Sequence, residues 1–282
     1  MNPPPGFIRL AIPAGFAADF GAIFGKREGE RFFYGFRVED MHLNRLGFAH
    51  GGALATFADM QLAALMRLGR LAPKQSPTIR LSLDFLSPVR RGDWVQGEIA
   101  LDRRTMQLAF AQTLLTAGET PVARAAAIYA HSDNAASLDA PPAPPPGVSD
   151  EPAPAGFEHR KPAPGFGALF GPTHWRTGTT RFGFRVAQRH INLFGLCHGG
   201  AMAMFADYQI LPLRLAGLLE GGFAPTLSLS VDFLGPARLG DWIEAEASLV
   251  KRTGRYLFTA AVMSNPAGPV ARSTAIYAAP HS

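Results

Sequence analysis

The chain has 282 residues, of which 47% are hydrophobic and 17% are charged, a composition typical of soluble globular proteins. It has no run approaching the ~18–20 consecutive apolar residues of a membrane-spanning helix. Its first residues also lack the basic and apolar stretches of a signal peptide. A single cysteine excludes an internal disulfide and a cysteine-rich metal site. We therefore expect a cytoplasmic protein with no membrane partner.

The net charge is +5, and only four of the 27 basic residues are lysines. Because the guanidinium group of arginine binds phosphate with two hydrogen bonds, this composition suits a polyanionic ligand. The sequence has no basic run, zinc-finger spacing or basic strand studded with aromatic residues. We therefore expect no nucleic-acid partner, and most of the arginines are expected to be solvated surface residues.

The first half of the chain predicts one long helix among several strands. Its aromatic-rich stretch Arg31–Val38 favours a strand, and Gly51–Leu68 has the apolar spacing of a helix with one buried stripe. Strict alternation over Pro77–Leu86 predicts a half-buried strand. Three further strands follow, at Trp94–Leu101, Met106–Leu115 and Val122–Ala130. One helix against an antiparallel sheet is an α+β layer architecture.

The motif His-x-Asn-x2-Gly-x2-His-Gly-Gly-x6-Asp at His42–Asp59 returns 148 residues later at His190–Asp207. Without a gap, residues 34–130 align with residues 182–278, with 44 identities in 97 positions. A repeat of this length is a duplicated domain rather than a solenoid unit. In the second copy, Pro212 is expected to kink the helix or end it early.

The two copies predict an N-terminal domain at residues 1–133 and a C-terminal domain at residues 165–282. Residues 134–164 between them are rich in proline and predict a semi-rigid linker rather than a core element. A shorter echo pairs Phe20–Gly25 with Phe166–Gly171, at a spacing of 146 residues. We interpret the change of spacing as a small insertion or deletion.

The ordered set of motifs in each half resembles the PaaI-like hotdog-fold acyl-CoA thioesterases. The His-Gly-Gly motif is followed by Thr-x2-Leu-x3-Phe-Leu-x-Pro-x3-Gly-Asp, at Thr78–Asp93 and again at Thr226–Asp241. The resemblance covers about 100 residues in each half. It implies two tandem hotdog domains, each a long central helix wrapped by an antiparallel sheet, packed as an intramolecular pseudo-dimer.

Thioester hydrolysis needs a polarised carbonyl and an attacking water or carboxylate. Gly51 and Gly199 begin helices, where free N–H groups can stabilise an oxyanion. Asp59 and Asp207 lie two turns further on and can act as nucleophile or general base. The resemblance implies substrate- or water-positioning roles for a further set of polar residues: Asn44, Asn192, His50, His198, Thr78 and Thr226.

Each of these residues also has a purely structural interpretation. An aspartate on a helix is commonly solvated, an asparagine before glycine shapes a turn, and a histidine can cap a helix. Retention of the whole set in both copies favours catalysis. Cys197 corresponds to Ala49, which favours a small buried residue over a nucleophile. The resemblance further implies coenzyme A contacts on predicted turns, by Arg90, Arg103, Arg104, Arg238, Arg252 and Arg255.

The resemblance also implies that the loop of one half faces the carboxylate of the other, giving two sites. We expect acyl-CoA hydrolysis without metal or cofactor, and a homo-oligomer, dimer or trimer, of double-hotdog subunits. The sequence leaves open the acyl group, an acyl-carrier protein in place of coenzyme A, and equal activity of the sites. Alternatives are a non-catalytic acyl-CoA-binding module and a hotdog dehydratase or hydratase, whose acid residues have other spacings.

Overall fold

The computed structural model describes residues 2–12, 15–68, 77–130, 151–192 and 194–280, without the side chains of residues 63 and 65–68. Within these ranges, no helix combines the length and apolar character needed to cross a membrane. Residues 134–150 of the predicted linker lie outside the described residues. The domain boundaries stay a prediction.

The first half contains one long helix, as predicted, and a strand series that begins earlier than predicted. In chain order its elements are β1 (Ile8–Arg9), α1 (Phe16–Asp19), β2 (Ile23–Glu28), β3 (Arg31–Arg37), α2 (Gly51–Leu68), β4 (Thr78–Phe85), β5 (Trp94–Arg104), β6 (Leu108–Ala117) and β7 (Thr120–Ala130). A 3-10 turn at Asp40–His42 precedes the site loop.

The second half repeats this order with its central helix divided. Its elements are β8 (Glu158–Arg160), α3 (Phe166–Phe170), β9 (Thr173–Trp175), β10 (Arg181–Arg185), α4 (Gly199–Asp207), α5 (Ile210–Leu215), β11 (Thr226–Phe233), β12 (Trp242–Arg252), β13 (Tyr256–Asn265) and β14 (Gly268–Ala278). The break after Asp207 confirms the expected effect of Pro212, whose ring opposes the carbonyl four residues earlier.

All of these strands join one antiparallel sheet, in the order β1-β2-β3-β5-β6-β7-β4-β11-β14-β13-β12-β10-β9-β8. The halves meet where β4 pairs with β11, with Leu83 opposite Leu229 and Arg80 opposite Asp232. The order on one side of this junction mirrors the order on the other. The duplicated sequence therefore folds as a pseudo-symmetric pair sharing one sheet.

Helices α2 and α4 pack against each other on the inner face of the sheet. A methyl group built on Gly52 would lie 2.8 Å from Met204, and one on Gly200 would lie 2.7 Å from Thr56. Glycine at these two positions allows the helix starts to approach closely. The stripe predicted for α2 is buried as expected at Leu54, Phe57, Ala58 and Leu62.

The structure corrects the alignment of the short echo near the start of each half. Phe20 corresponds to Phe170, not to Phe166, because His42 Nε2 bonds the Phe20 carbonyl and His190 Nε2 bonds the Phe170 carbonyl. Residues 15–21 therefore match residues 165–171 at a spacing of 150. Strand β2 was not predicted, and β8, at the edge of the sheet, lies within the predicted linker.

The short helices α1 and α3 each reach across to the opposite half. The Phe16 N–H donates to the Ile191 carbonyl, and the Phe166 N–H donates to the Leu43 carbonyl, both at 3.1 Å. Each bond ties a short helix to the loop that leads into the opposite central helix. The N-terminal segment of each half thus supports the site loop of the other.

Candidate active site

Asn44 and Asn192 organise the loops that precede the two central helices. The Asn44 side-chain oxygen accepts hydrogen bonds from the N–H groups of Leu46 and Phe48, at 2.9 and 3.3 Å. Asn192 makes the equivalent pair of bonds at 2.8 and 3.2 Å. The side-chain oxygens therefore shape the turn, the structural role that an asparagine in such a loop favours.

His50 and His198 cap the central helices and fix their own tautomers. Nδ1 of His50 accepts from the Gly52 N–H at 2.9 Å, and Nδ1 of His198 accepts from the Gly200 N–H at 3.0 Å. An accepting Nδ1 is unprotonated, so each neutral ring carries its proton on Nε2. The capping interpretation and the catalytic one are compatible because capping uses only one of the two ring nitrogens.

Asp59 meets the opposite half of the molecule. Its Oδ2 accepts from the Gly200 N–H at 3.1 Å and lies 3.4 Å from His198 Nδ1. Its Oδ1 accepts from the Thr78 hydroxyl at 3.3 Å. A buried carboxylate of the first half is therefore held between its own strand β4 and the helix start of the second half.

Asp207 has the reciprocal surroundings. Its Oδ1 accepts from the Thr226 hydroxyl at 2.7 Å, and a methyl group built on Gly51 would lie 3.3 Å from its Oδ2. Burial is the main cause that raises the pKa of Asp207, against the opposing effects of His50 and Thr226. Burial also lowers the pKa of His50, against the charge of Asp207. Both directions favour a neutral histidine beside the carboxyl group.

The N–H groups of Gly51 and Gly199 donate no hydrogen bond to any of the residues that the structure describes. Each is the first N–H of a helix and lies beside a carboxylate of the other half. Such N–H groups carry partial positive charge and can bind a developing oxyanion. Each composite site thus combines a free backbone donor with a carboxylate.

His42 and His190, which open the repeated motif, are structural. Nδ1 of each accepts from a backbone N–H at 2.9 Å, while Nε2 bonds the carbonyl of Phe20 or Phe170. Burial lowers the pKa of His190 to about 4, so its ring stays neutral. Burial also raises the pKa of the Cys197 thiol, which disfavours the thiolate form that a nucleophile needs.

The arginines proposed for coenzyme A are all exposed, and they lie in two places. Arg90 and Arg238 form bridges with Phe48 and Leu196 of the site loops. Strands β5 and β12 each continue pairing beyond a bulge. The last residues of these strands are therefore Arg103 and Arg104 in β5 and Arg252 in β12, and none of the three lies in a turn. Arg255 lies in the following turn. The prediction of turns was wrong for three of the six, and phosphate contact stays a prediction.

Sequence reasoning gave no role to the aromatic residues around the histidines. Phe16 lies 5.5 Å from the His198 ring, and Phe166 lies 6.0 Å from the His50 ring. Tyr208 also packs edge-on to His50. The difference between Tyr208 and Met60 was the one available signal. Among the described residues, no group of three or more His, Cys, Asp or Glu side chains could hold a metal ion.

A family model described as the thioesterase superfamily matches residues 46–123 and again residues 194–271. The chain belongs to the thioesterase superfamily. Each match includes the central helix and its carboxylate, so the double match confirms the predicted tandem of thioesterase domains.

Two relatives show how much of this thioesterase chain is similar to known proteins. A Pseudomonas aeruginosa protein named "Putative esterase PA0474" is 34% identical over 130 residues, which are 46% of this chain and 97% of the relative. Mouse acyl-coenzyme A thioesterase 13 is 35% identical over 81 residues, 28% of this chain and 56% of the relative. The first relative thus corresponds in length to one half of this thioesterase.

Solved structures match the whole tandem. A hot dog fold protein of unknown function from Alicyclobacillus acidocaldarius has a TM-score of 0.64 at 15% identity, covering 96% of this chain and all of that one. The acyl-CoA thioesterase II of Mycobacterium marinum has a TM-score of 0.57 at 16% identity, covering 89% and 92% of the two chains. These likenesses confirm the double hotdog fold.

Proposed function

We propose that this thioesterase hydrolyses acyl-CoA to a free acid and coenzyme A at two composite sites. The observation that carries the proposal is the pairing of Asp59 with the Gly199–Gly200 helix start of the other half. Asp207 and Gly51 provide the reciprocal pair. Superfamily membership supports thioester hydrolysis, and relatives named as acyl-coenzyme A thioesterases favour coenzyme A as the carrier.

At each site the free glycine N–H would donate a hydrogen bond to the thioester carbonyl oxygen and stabilise negative charge on it. One oxygen of each aspartate accepts a hydrogen bond, from Thr78 for Asp59 and from Thr226 for Asp207. The aspartate would act from the other side of the carbonyl. As general base it would take a proton from water, whose oxygen bonds to the carbonyl carbon. As nucleophile it would form an acyl anhydride that water then cleaves. In both cases the carbon–sulfur bond breaks, and the thiolate leaves and takes up a proton.

The remaining roles follow from position. His50 and His198, with Nε2 protonated, can donate a hydrogen bond to the substrate or the attacking water. Of the six arginines, Arg90 and Arg238 lie beside the site loops, where they would meet the phosphate groups. The nucleotide end of coenzyme A would then lie on the loop side of each site. The homo-oligomer and the cytoplasmic location stay predictions.

The test is release of free thiol from a panel of acyl-CoA substrates by wild type and by the double variant Asp59→Asn, Asp207→Asn. Loss of the carboxylates should lower turnover by about 10²–10⁴-fold, the usual contribution of such a group. Asp102→Asn, which changes an exposed carboxylate on β5, is the matched control and should keep wild-type turnover.

Turnover of the double variant within a few-fold of wild type would show that the carboxylates are structural. Binding of acyl-CoA without thiol release by the wild type would instead favour the non-catalytic module. Circular dichroism and melting temperature establish that the variants are folded.

A further inference from the structure

The residue after the catalytic aspartate differs between the two halves. Phe-Ala-Asp is followed by Met60 in the first half and by Tyr208 in the second, although the three preceding residues are identical. The two sites therefore have different side chains at an equivalent place beside the reacting carboxylate. This difference can be followed through the surrounding contacts.

Tyr208 fits a space that the second half provides for it. Its ring packs edge-on to His50, with centroids 6.1 Å apart, and edge-on to Phe170 at the same distance. A methyl group built on Gly167 would lie 3.6 Å from the tyrosine hydroxyl. By the corrected alignment, Gly167 corresponds to Ala17 in the first half. The half with the larger side chain, Tyr208, therefore has the smaller residue, Gly167, facing it.

The hydroxyl group of Tyr208 makes no hydrogen bond to any of the residues that the structure describes. Burial raises the pKa of Tyr208, the charge of Asp207 raises it further, and Arg45 opposes this. The phenol is therefore a neutral donor at the edge of the Asp207 site. When a ligand covers such a hydroxyl group, the lost contact with water costs free energy unless the ligand bonds to the hydroxyl.

We propose that the Tyr208 hydroxyl donates a hydrogen bond to the acyl group of the substrate and sets the preference of the Asp207 site. This site would favour acyl groups with an oxygen substituent within a few atoms of the thioester carbonyl. The Asp59 site, with Met60 in the equivalent place, would favour apolar acyl groups of the same size. The inference rests on the proposed thioesterase function and deepens it.

The physical basis is a difference in binding free energy between a substrate that bonds to the hydroxyl group and one that only covers it. An apolar acyl group would cover the hydroxyl without bonding to it, whereas a polar substituent would replace the lost water. Sites built to bond a polar substrate group discriminate against analogues that lack it, while an apolar pocket discriminates weakly. One neutral hydrogen bond is worth about 0.5–1.5 kcal/mol, or roughly two- to twelvefold in kcat/KM.

The test isolates each site and compares butyryl-CoA with 3-hydroxybutyryl-CoA. Asp59→Asn leaves the Asp207 site, and Asp207→Asn leaves the Asp59 site. The measured quantity is the ratio of kcat/KM for 3-hydroxybutyryl-CoA to kcat/KM for butyryl-CoA. This ratio should be higher in the Asp59→Asn background than in the Asp207→Asn background. Tyr208→Phe keeps the ring but removes the hydroxyl, and should lower the ratio in the first background by roughly two- to twelvefold, mainly through KM.

The controls separate a substrate contact from a general effect. Tyr208→Phe should leave the ratio unchanged in the Asp207→Asn background, where only the other site works. Tyr256→Phe, an exposed tyrosine on β13, should leave the ratio unchanged in both backgrounds. Met60→Tyr together with Ala17→Gly should raise the ratio at the Asp59 site.

An unchanged ratio in Tyr208→Phe, with thiol release intact, would overturn the inference and leave the proposed function standing. Equal kcat/KM ratios at the two isolated sites would also overturn the inference and leave the proposed function standing. If the wild type cleaves no acyl-CoA of any class, the proposed function fails, and the inference fails with it.

Discussion

At the scale of single residues, contacts between the halves define the surroundings of the two candidate catalytic carboxylates. Asp59 and Asp207 occupy ordinary helical positions in the sequence. What changes their chemistry is the helix start of the other half, which encloses the carboxylate and supplies backbone N–H groups. Burial raises the pKa of Asp207, so its ionised form carries a cost in the folded protein.

This cost predicts a pH-dependent gain in stability for Asp207→Asn. A carboxyl whose folded pKa lies above its unfolded value binds more protons in the folded state between the two values. Its destabilising effect is absent below the unfolded pKa near 3.8 and grows as pH rises through the folded pKa. Asp207→Asn should therefore raise the melting temperature at neutral pH and not near pH 3.

Thermal melts of wild type and variant across pH measure this difference. Asp102→Asn, at an exposed site, should show no such pH-dependent gain. A melting temperature lowered by Asp207→Asn at neutral pH would show that the Thr226 hydrogen bond outweighs the cost of burial.

At the scale of elements, the short helices α1 and α3 hold the site loops through glycine. Gly15 and Gly165 have φ of +114° and +72°, conformations that favour glycine. A methyl group on Gly165 would lie 2.1 Å from the Leu43 carbonyl oxygen, and one on Gly15 would lie 2.3 Å from the Ile191 carbonyl oxygen. Neither backbone atom can move away without moving its loop.

Gly165→Ala is therefore expected to displace the loop that carries His50 and to damage the Asp207 site. In the Asp59→Asn background, kcat/KM should fall by about tenfold or more, because ångström-scale misplacement of catalytic groups is costly. Gly15→Ala should lower kcat/KM only slightly in the Asp59→Asn background. In the Asp207→Asn background it should cause the large fall. The measurement is thiol release, with melting temperatures determined alongside.

Gly118→Ala is the matched control, since Gly118 has φ of +61° but open space around it. It carries the conformational cost without the clash. Equal losses of turnover in Gly118→Ala and Gly165→Ala would show that α3 does not position the loop.

At the scale of the whole molecule, the duplicated halves form one body, and each candidate site combines residues of both halves. The sheet is continuous through β4 and β11, and the central helices contact each other through their glycine-rich starts. The junction has also lost symmetry. Arg80 bonds Asp232 across it at 2.6 Å, whereas the equivalent Ser228 lies opposite Asp84. A covalent tandem permits such divergence because each half always meets the same partner.

Shared sites predict a specific pattern in double variants. His50→Ala combined with Asp207→Asn should damage one site and keep the turnover of Asp207→Asn alone. His50→Ala combined with Asp59→Asn should damage both sites and lose most of the remaining turnover. The assay is thiol release from a substrate that both sites accept. The reverse pattern would mean that each half carries its own complete site.

The sequence by itself predicted the central helices, the four strands that follow each of them and the polar groups of the repeated motif. The apolar stripe of α2 and the alternation over β4 predicted burial at the period of each element. Leu81 and Leu83 are buried as expected, whereas Ile79 is exposed beside a register shift between Thr78 and Arg80. The repeat of His42–Asp59 indicated the candidate site residues, since both copies keep them. Pro212 located the break in the second helix for a local steric reason.

The family resemblance implied that each site combines both halves, and only the tertiary structure shows which groups contact each other. The contacts of Asp59 with Gly200 and of Phe16 with Ile191 join residues more than 140 positions apart. No local period encodes such a distance, which depends on how two amphipathic halves bury their faces together. The early strand β2 and the Phe20–Phe170 correspondence were missed for the same reason. Their positions depend on pairing with β3 and on the buried histidines, and local propensity carries little of that information.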